Sequence, residues 1–180
     1  MNRSDADETA RLETALGRLS GNGDEARDSL GEIYDLMSAR MLRAAFSVTG
    51  SRPDAEDALQ DSLIKLFRAT GAYRADGHPQ AYILTVVRHA ALDIVRRRQR
   101  ALDASEVTDT EPEAPPDTAT DAAAVAELLS VLEPDDRLII TLKLYEEMPY
   151  REIARVTGLS VAAAEKRYQR ALARLRKFYT

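Results

Sequence analysis

Apolar residues recur at helical spacing through most of this 180-residue chain, and no stretch reads as strand-rich. The pattern is strongest from Glu32 onward. Ile33, Leu36, Met37, Met41, Ala44, Ala45 and Val48 form one helical face, which Thr49, Gly50 and Ser51 end. Pro53 opens a second helix. Asp54, Glu56 and Asp57 lie in its first turn, where the positive end of the helix dipole favours acids. Its predicted inner face is Ala55, Ala58, Leu59, Ser62, Leu63, Leu66 and Phe67. A third helix, from about Gln80 to Arg100, turns Ile83, Val86, Val87, Ala90, Ala91, Ile94 and Val95 inward. Three such faces can enclose one core. Residues 1–31 are weaker. Leu12, Leu16 and Leu19 fall on one face, but Gly17, Gly21 and Gly23 argue for a short or frayed element, to which no function is assigned.

Residues 101–124 lose the pattern. They are rich in Asp, Glu, Ala, Thr and Pro and hold no basic residue, a composition that buries too little surface to offset its ordering entropy. Helical pattern resumes near Ala123, and Pro134 starts a helix with Leu138, Ile139, Leu142 and Tyr145 inward. The expected fold class is therefore all-α: a weakly patterned extension over 1–31, a helical domain over 32–100, a flexible acidic linker over 101–124, and a second small helical domain over 125–180.

That second domain ends in a helix-turn-helix pattern. A short helix from Tyr150 carries Ile153 and Ala154 inward, Gly158 sits where the chain must turn sharply, and Ser160 is placed to cap the next helix. There Val161, Ala164, Tyr168, Ala171, Leu172 and Leu175 form an apolar stripe, while Arg167, Arg170, Arg174 and Lys177 line another face. Two helices with a tight glycine turn, the second one basic, suit a DNA major groove and its phosphates. The plain alternative is a helical hairpin with a solvated basic face.

The net charge of −5 suits a nucleic-acid binder poorly until it is divided. It is −3 over residues 1–31, +3 over 32–100, −11 over 101–136 and +6 over 137–180. With a Debye length of about 8 Å at physiological salt, such local patches matter more to a polyanion than the total. The chain has no Cys, which excludes disulfides, thiolate catalysis and zinc fingers; His78 and His89 lack metal-type spacing. No apolar run approaches the roughly 20 residues that span a bilayer, and the N-terminus is polar, so a soluble cytoplasmic protein without membrane insertion is expected.

Two further faces carry candidate chemistry. On the second helix Asp57, Gln60, Asp61 and Ile64 share a face away from the core. It reads as a solvated surface with an Asp61–Lys65 pair, or as a docking face for a basic partner helix. No His or Gly-rich phosphate loop accompanies these carboxylates, so no catalytic site, metal or cofactor is expected. On the third helix Thr85, Arg88, His89, Leu92 and Arg96 lie off the core stripe. Arg96, Arg97, Arg98 and Arg100 close the helix with more charge than its dipole requires, which points to phosphates or single-stranded DNA. Tyr73 and Tyr82 can stack on unpaired bases, although core packing suits Tyr82 better.

In this order and spacing the segments resemble the extracytoplasmic-function (ECF) sigma factors of bacterial RNA polymerase. Asp54 to Phe67 (DAEDALQDSLIKLF) is similar to the family's segment that docks on the clamp helices of the largest polymerase subunit. Ala81 to Arg98 (AYILTVVRHAALDIVRRR) is similar to its −10 helix, and Leu132 to Leu175, with Tyr150 to Ala154 (YREIA) most diagnostic, to its −35 domain. The resemblance implies a non-enzymatic subunit that brings core polymerase to promoter DNA. It implies polymerase docking through Asp57, Gln60, Asp61 and Ile64, −10 contacts from Arg88, His89, Asp93, Arg96 and Arg97, and −35 contacts from Lys166, Arg167, Arg170 and Arg174. The loop Thr70–Pro79 takes the place where the family captures a flipped −10 base. The polymerase flap region and an anti-sigma factor are further expected partners. The chain departs from the family pattern at Tyr82 (usually Trp), Pro79 (often Phe) and Pro149 (usually a Ser or Thr cap). It also departs in the alanines at 162–164 and Glu165, which leave little for direct base readout beyond a thymine methyl or a cytosine amino group. A helix-turn-helix regulator that works without polymerase is the alternative.

Overall fold

A computed structural model describes residues 3–69, 71–104 and 130–179. Among these the chain forms seven helices and no strand: α1 (Arg3–Arg18), α2 (Gly23–Thr49), α3 (Arg52–Arg68), α4 (Pro79–Ala104), α5 (Pro134–Leu144), α6 (Tyr150–Thr157) and α7 (Val161–Tyr179). The all-α class and the C-terminal helix-turn-helix are as expected. Most of the acidic linker, and the helical pattern near Ala123, lie outside the described residues.

The caps follow from local chemistry. Asn22 accepts from the Glu25 amide at 3.0 Å to start α2. Gly50, at φ 67°, ends it in the left-handed region and donates its N–H to the Phe46 carbonyl. Ser51 then accepts from the Asp54 amide at 3.4 Å to start α3. Gly158, at φ 72°, makes the turn between α6 and α7, and Ser160 caps α7 through the Ala163 amide at 3.1 Å. Pro149 opens α6 with no side-chain cap.

The first correction concerns residues 1–31. Among the described residues Arg3–Arg18 form an unbroken sixteen-residue helix, α1, and Leu12, Ala15, Leu16 and Leu19 are buried against α2 and α4. Gly17 lies on the exposed side, and Gly21 and Gly23 fall at the turn between α1 and α2, so the glycines that argued against a helix do not interrupt its apolar stripe. The helix expected to begin at Glu32 begins at Gly23. Three residues assigned to inner faces are exposed instead. Phe67 is 42% exposed because Leu66, one position earlier, continues the stripe through Ala58 and Ser62. Tyr145 follows the last residue of α5, and Val161 is the first residue of α7, so neither has a full helical turn to hold it inward.

The two halves share one buried apolar cluster. In α5, Leu138 to Leu142 are all buried, because α5 packs on α2 as well as on α6 and α7. Arg137 fastens this contact. Its Nε donates to the Ser47 carbonyl at 2.6 Å and its Nη2 to the Val48 carbonyl at 2.8 Å, in the last turn of α2. Its Nη1 donates to the Leu132 carbonyl at 2.8 Å. Burial pulls the guanidinium pKa below its ordinary value, and Glu133 opposes that shift. Arg40 and Arg43 of α2 hold the buried Glu146 carboxylate at 3.1 and 2.8 Å. Lys143 extends over the Tyr150 ring, 4.9 Å from its centroid, tying α5 to α6.

Two substitutions test this packing. Leu16→Ala is expected to lose about 2–4 kcal/mol in urea unfolding, against the few tenths that a frayed extension would lose. Arg137→Lys should lose roughly 2 kcal/mol, since a single ammonium cannot satisfy three carbonyls in a fixed fork.

Candidate nucleic-acid interface

The acidic face of α3 forms as the spacing implied. Asp57, Gln60 and Ile64 are exposed, and Ile64 lies one turn before the exposed Phe67. Asp61 is half-buried. Instead of a bond within α3, the ion pairs here cross to α4: Arg97 Nη2 lies 3.6 Å from Asp61 Oδ2, and Lys65 Nζ lies 3.2 Å from Asp93 Oδ2. The candidate docking face and the candidate −10 face are thus neighbouring sides of one helix pair.

On α4, His89, Asp93 and Arg96 fall at i, i+4 and i+7 on an exposed strip, with Arg97 beside them. Arg88 does not join them. It is half-buried and faces α5, where Nε and Nη2 donate to the two carboxylate oxygens of Asp135 at 2.8 and 2.9 Å. This is a bidentate fork, the strongest form of such a pair.

On α7, Arg167, Arg170 and Arg174 line a groove of about 330 Å3 together with Ala163, Leu159, Glu133 and Asp136. Lys166 is exposed one turn before Arg170. Arg167, like Arg88, is already occupied: its Nε donates to Asp136 Oδ1 at 2.6 Å, and its Nη1 lies 3.8 Å from Asp135 Oδ2. The first turn of α5 therefore presents adjacent carboxylates to one arginine from each basic face.

A further cavity, about 250 Å3, is lined by Tyr73, Arg74, Asp76, His78, Tyr82 and Arg155, among others. The Tyr73 and Tyr82 rings meet at 5.1 Å with a 52° tilt, and Tyr82 is half-buried against the core. Two residues of α6 reach this loop. His78 Nδ1 lies 2.7 Å from Glu152 Oε1, and Arg155 Nη1 lies 3.1 Å from Asp76 Oδ2. Sequence reasoning missed Asp135, Asp136, Glu152 and Arg155. Acids in the first turn of a helix read as dipole complements, and nothing in periodicity shows a partner that lies 47 residues away, as Asp135 does from Arg88. Among the described residues no group of His, Asp or Glu could hold a metal ion, and no helix is long and apolar enough to cross a membrane.

Comparison with known proteins places both halves. Residues 33–101 match the Sigma-70 region 2 family and residues 122–175 the Sigma-70 region 4 family. The RNA polymerase sigma-E factor of Streptomyces coelicolor is 31% identical over 142 residues, covering 76% of this chain and 78% of that protein. The ECF RNA polymerase sigma factor SigE of Mycolicibacterium smegmatis is 27% identical over 174 residues, covering 92% of this chain and 67% of that protein. The chain belongs to the ECF sigma factors of RNA polymerase. A sigma factor directs promoter-specific transcription, and that is the function of this chain. Its fold is shared with a solved structure, the Bartonella quintana sigma factor RpoE in complex with the anti-sigma factor NepR, at TM-score 0.69 and 21% identity over 82% of this chain and 94% of that one.

Asp135 holds Arg88 in the bidentate geometry that a phosphate would otherwise take. Asp135→Asn is expected to raise the affinity of the free chain for single-stranded DNA by roughly threefold to tenfold at low salt, measured by fluorescence anisotropy.

Proposed function

We propose that the exposed face of α3, with Asp57, Gln60, Asp61 and Ile64, docks on the clamp helices of the largest subunit of core polymerase, while the helix-turn-helix half meets the flap region. On this reading α4 reads and melts the −10 element. His89, Asp93, Arg96 and Arg97 face the strand directly, and Arg88 joins them when α5 moves away. Lys166, Arg167, Arg170 and Arg174 grip the −35 duplex, mainly by its phosphates, since Ala162 and Ala163 have only methyl groups to offer a base and Ala164 is buried.

The observation that carries this reading is the adjacency of the α3 and α4 faces, joined by the Asp61–Arg97 contact of 3.6 Å. A protein seated on α3 would hold the exposed basic strip of α4 at its own border, where a separating duplex can pass from one to the other. Docking that engages Asp61 also releases Arg97 for phosphate. The chain performs no reaction of its own on this reading: the polymerase supplies the chemistry, and the cytoplasm, where polymerase and chromosome meet, is its place. The Bartonella relative, bound to an anti-sigma factor, supports the same class of partner here.

The test is reconstitution with core polymerase. Asp57→Lys combined with Asp61→Lys should weaken core binding by at least about tenfold, while the urea midpoint falls only slightly and the affinity of the free chain for a −35 duplex does not fall. Unchanged core affinity would place the docking face elsewhere.

A further inference from the structure

The loop over residues 71–78 carries most of the cavity described above, and its shape is set from outside. Gly71 and Gly77 both hold positive φ, at 79° and 82°. Tyr73 and Asp76 between them, and His78 just after, line the space beside Tyr82. The residue that fixes this loop comes from the N-terminal helix. Glu13 Oε1 accepts a hydrogen bond from the Tyr73 hydroxyl at 3.0 Å and another from the Gly77 amide at 2.8 Å. One carboxylate oxygen thus ties together two points of the loop, four residues apart. Burial raises the Tyr73 pKa, and Glu13 raises it further, so the phenol remains a donor to this carboxylate at neutral pH. A second acid of α1, Glu8, anchors the helix beside the loop: its Oε1 accepts from Arg40 Nη1 at 2.6 Å and from Gln80 Nε2 at 2.8 Å.

We propose that Glu13 is a positioning residue for promoter selection: it holds the 71–78 loop in the form that receives an unpaired −10 base. The proposal rests on the reading of that loop as the base receiver. The chemistry suits a base: an aromatic wall from Tyr73 and Tyr82 supplies a stacking surface, Arg74 offers donors to its polar edge, and Asp76 and His78, held here by Arg155 and Glu152 of α6, add an acceptor and a donor once α6 releases them. A flipped base gains from such a site only if the wall is already in place, because ordering a glycine-flanked loop on binding costs affinity for every base alike. Glu13 touches no DNA on this account. It acts through the Tyr73 ring and the Gly77 backbone.

The experiment uses the full chain with core polymerase, transcribing a promoter pool randomised at the −10 element, with transcript counts giving the base profile. Glu13→Ala should flatten the preference at one −10 position by about tenfold, while core affinity and preference at −35 stay unchanged. Glu13→Gln keeps an acceptor oxygen and should retain most of the profile. Tyr73→Phe keeps the ring and loses one of the two bonds, and should fall between. If Glu13 only helps α1 to pack, Glu13→Ala lowers the unfolding midpoint and the output of all promoters together, with the base profile intact, and the proposal is overturned. Arg74→Ala and His78→Ala separate the two layers of the argument. If these alter the profile and Glu13→Ala does not, positioning by Glu13 is wrong. If none of the three alters it, the loop is not the base receiver and both fall.

Discussion

The last carbonyls of a long helix need donors, and α2 has none of its own to offer. Its final turn carries no basic residue, and Gly50 satisfies only the Phe46 carbonyl. Arg137 supplies the missing donors from α5, meeting the Ser47 and Val48 carbonyls with one planar guanidinium and placing a positive charge at the negative end of the α2 dipole. The arrangement of the rest depends on this. With Arg137 seated at the end of α2, the two residues before it, Asp135 and Asp136, face Arg88 and Arg167, and Glu146 at the other end of α5 reaches Arg40 and Arg43. A short helix thereby joins two halves that are far apart in sequence, alongside the pairs that α6 makes with the 71–78 loop.

The same placement sets the electrostatics of DNA contact. The first turn of α5 does for Arg88 and Arg167 what a phosphate would do, with the carboxylate fork at Arg88 matching the geometry of a phosphate contact. His89, Arg96, Arg170 and Arg174 remain exposed. The basic side chains are therefore divided into some that stand open to solvent, one, Arg88, that is tied across the two halves, and one, Arg167, that is tied within the C-terminal half. Asp57, Gln60 and Ile64 on α3 are exposed as the halves stand.

Much of this was legible in the residues. The stripes of α2, α3 and α4 stand out because one-sided burial forces a helical period, and Gly50, Ser51, Gly158 and Ser160 mark ends by their backbone and capping chemistry. The misreadings were local. Leu66 and Phe67 are adjacent apolar residues on a helix, and only one of them fits a stripe that already runs through Ala58 and Ser62. Leu12, Leu16 and Leu19 have the right period, yet three nearby glycines outweighed them, because helix propensity carries no information about the core that waits to receive the face. The pairings of Arg88, Arg137, Glu13 and His78 were out of reach. Each joins elements far apart in sequence, and no period connects the partners.

Burial of α5 on every side has a thermal consequence. Leu138, Ile139, Ile140 and Leu142 are almost wholly removed from water, partly by the half of the chain that contains α2. Any separation of the halves returns apolar surface to solvent, so it carries a positive heat-capacity change beyond that of breaking ion pairs. Apolar burial weakens on cooling. The apolar part of the joint that holds Arg88 against Asp135 therefore contributes less in the cold than at moderate temperature.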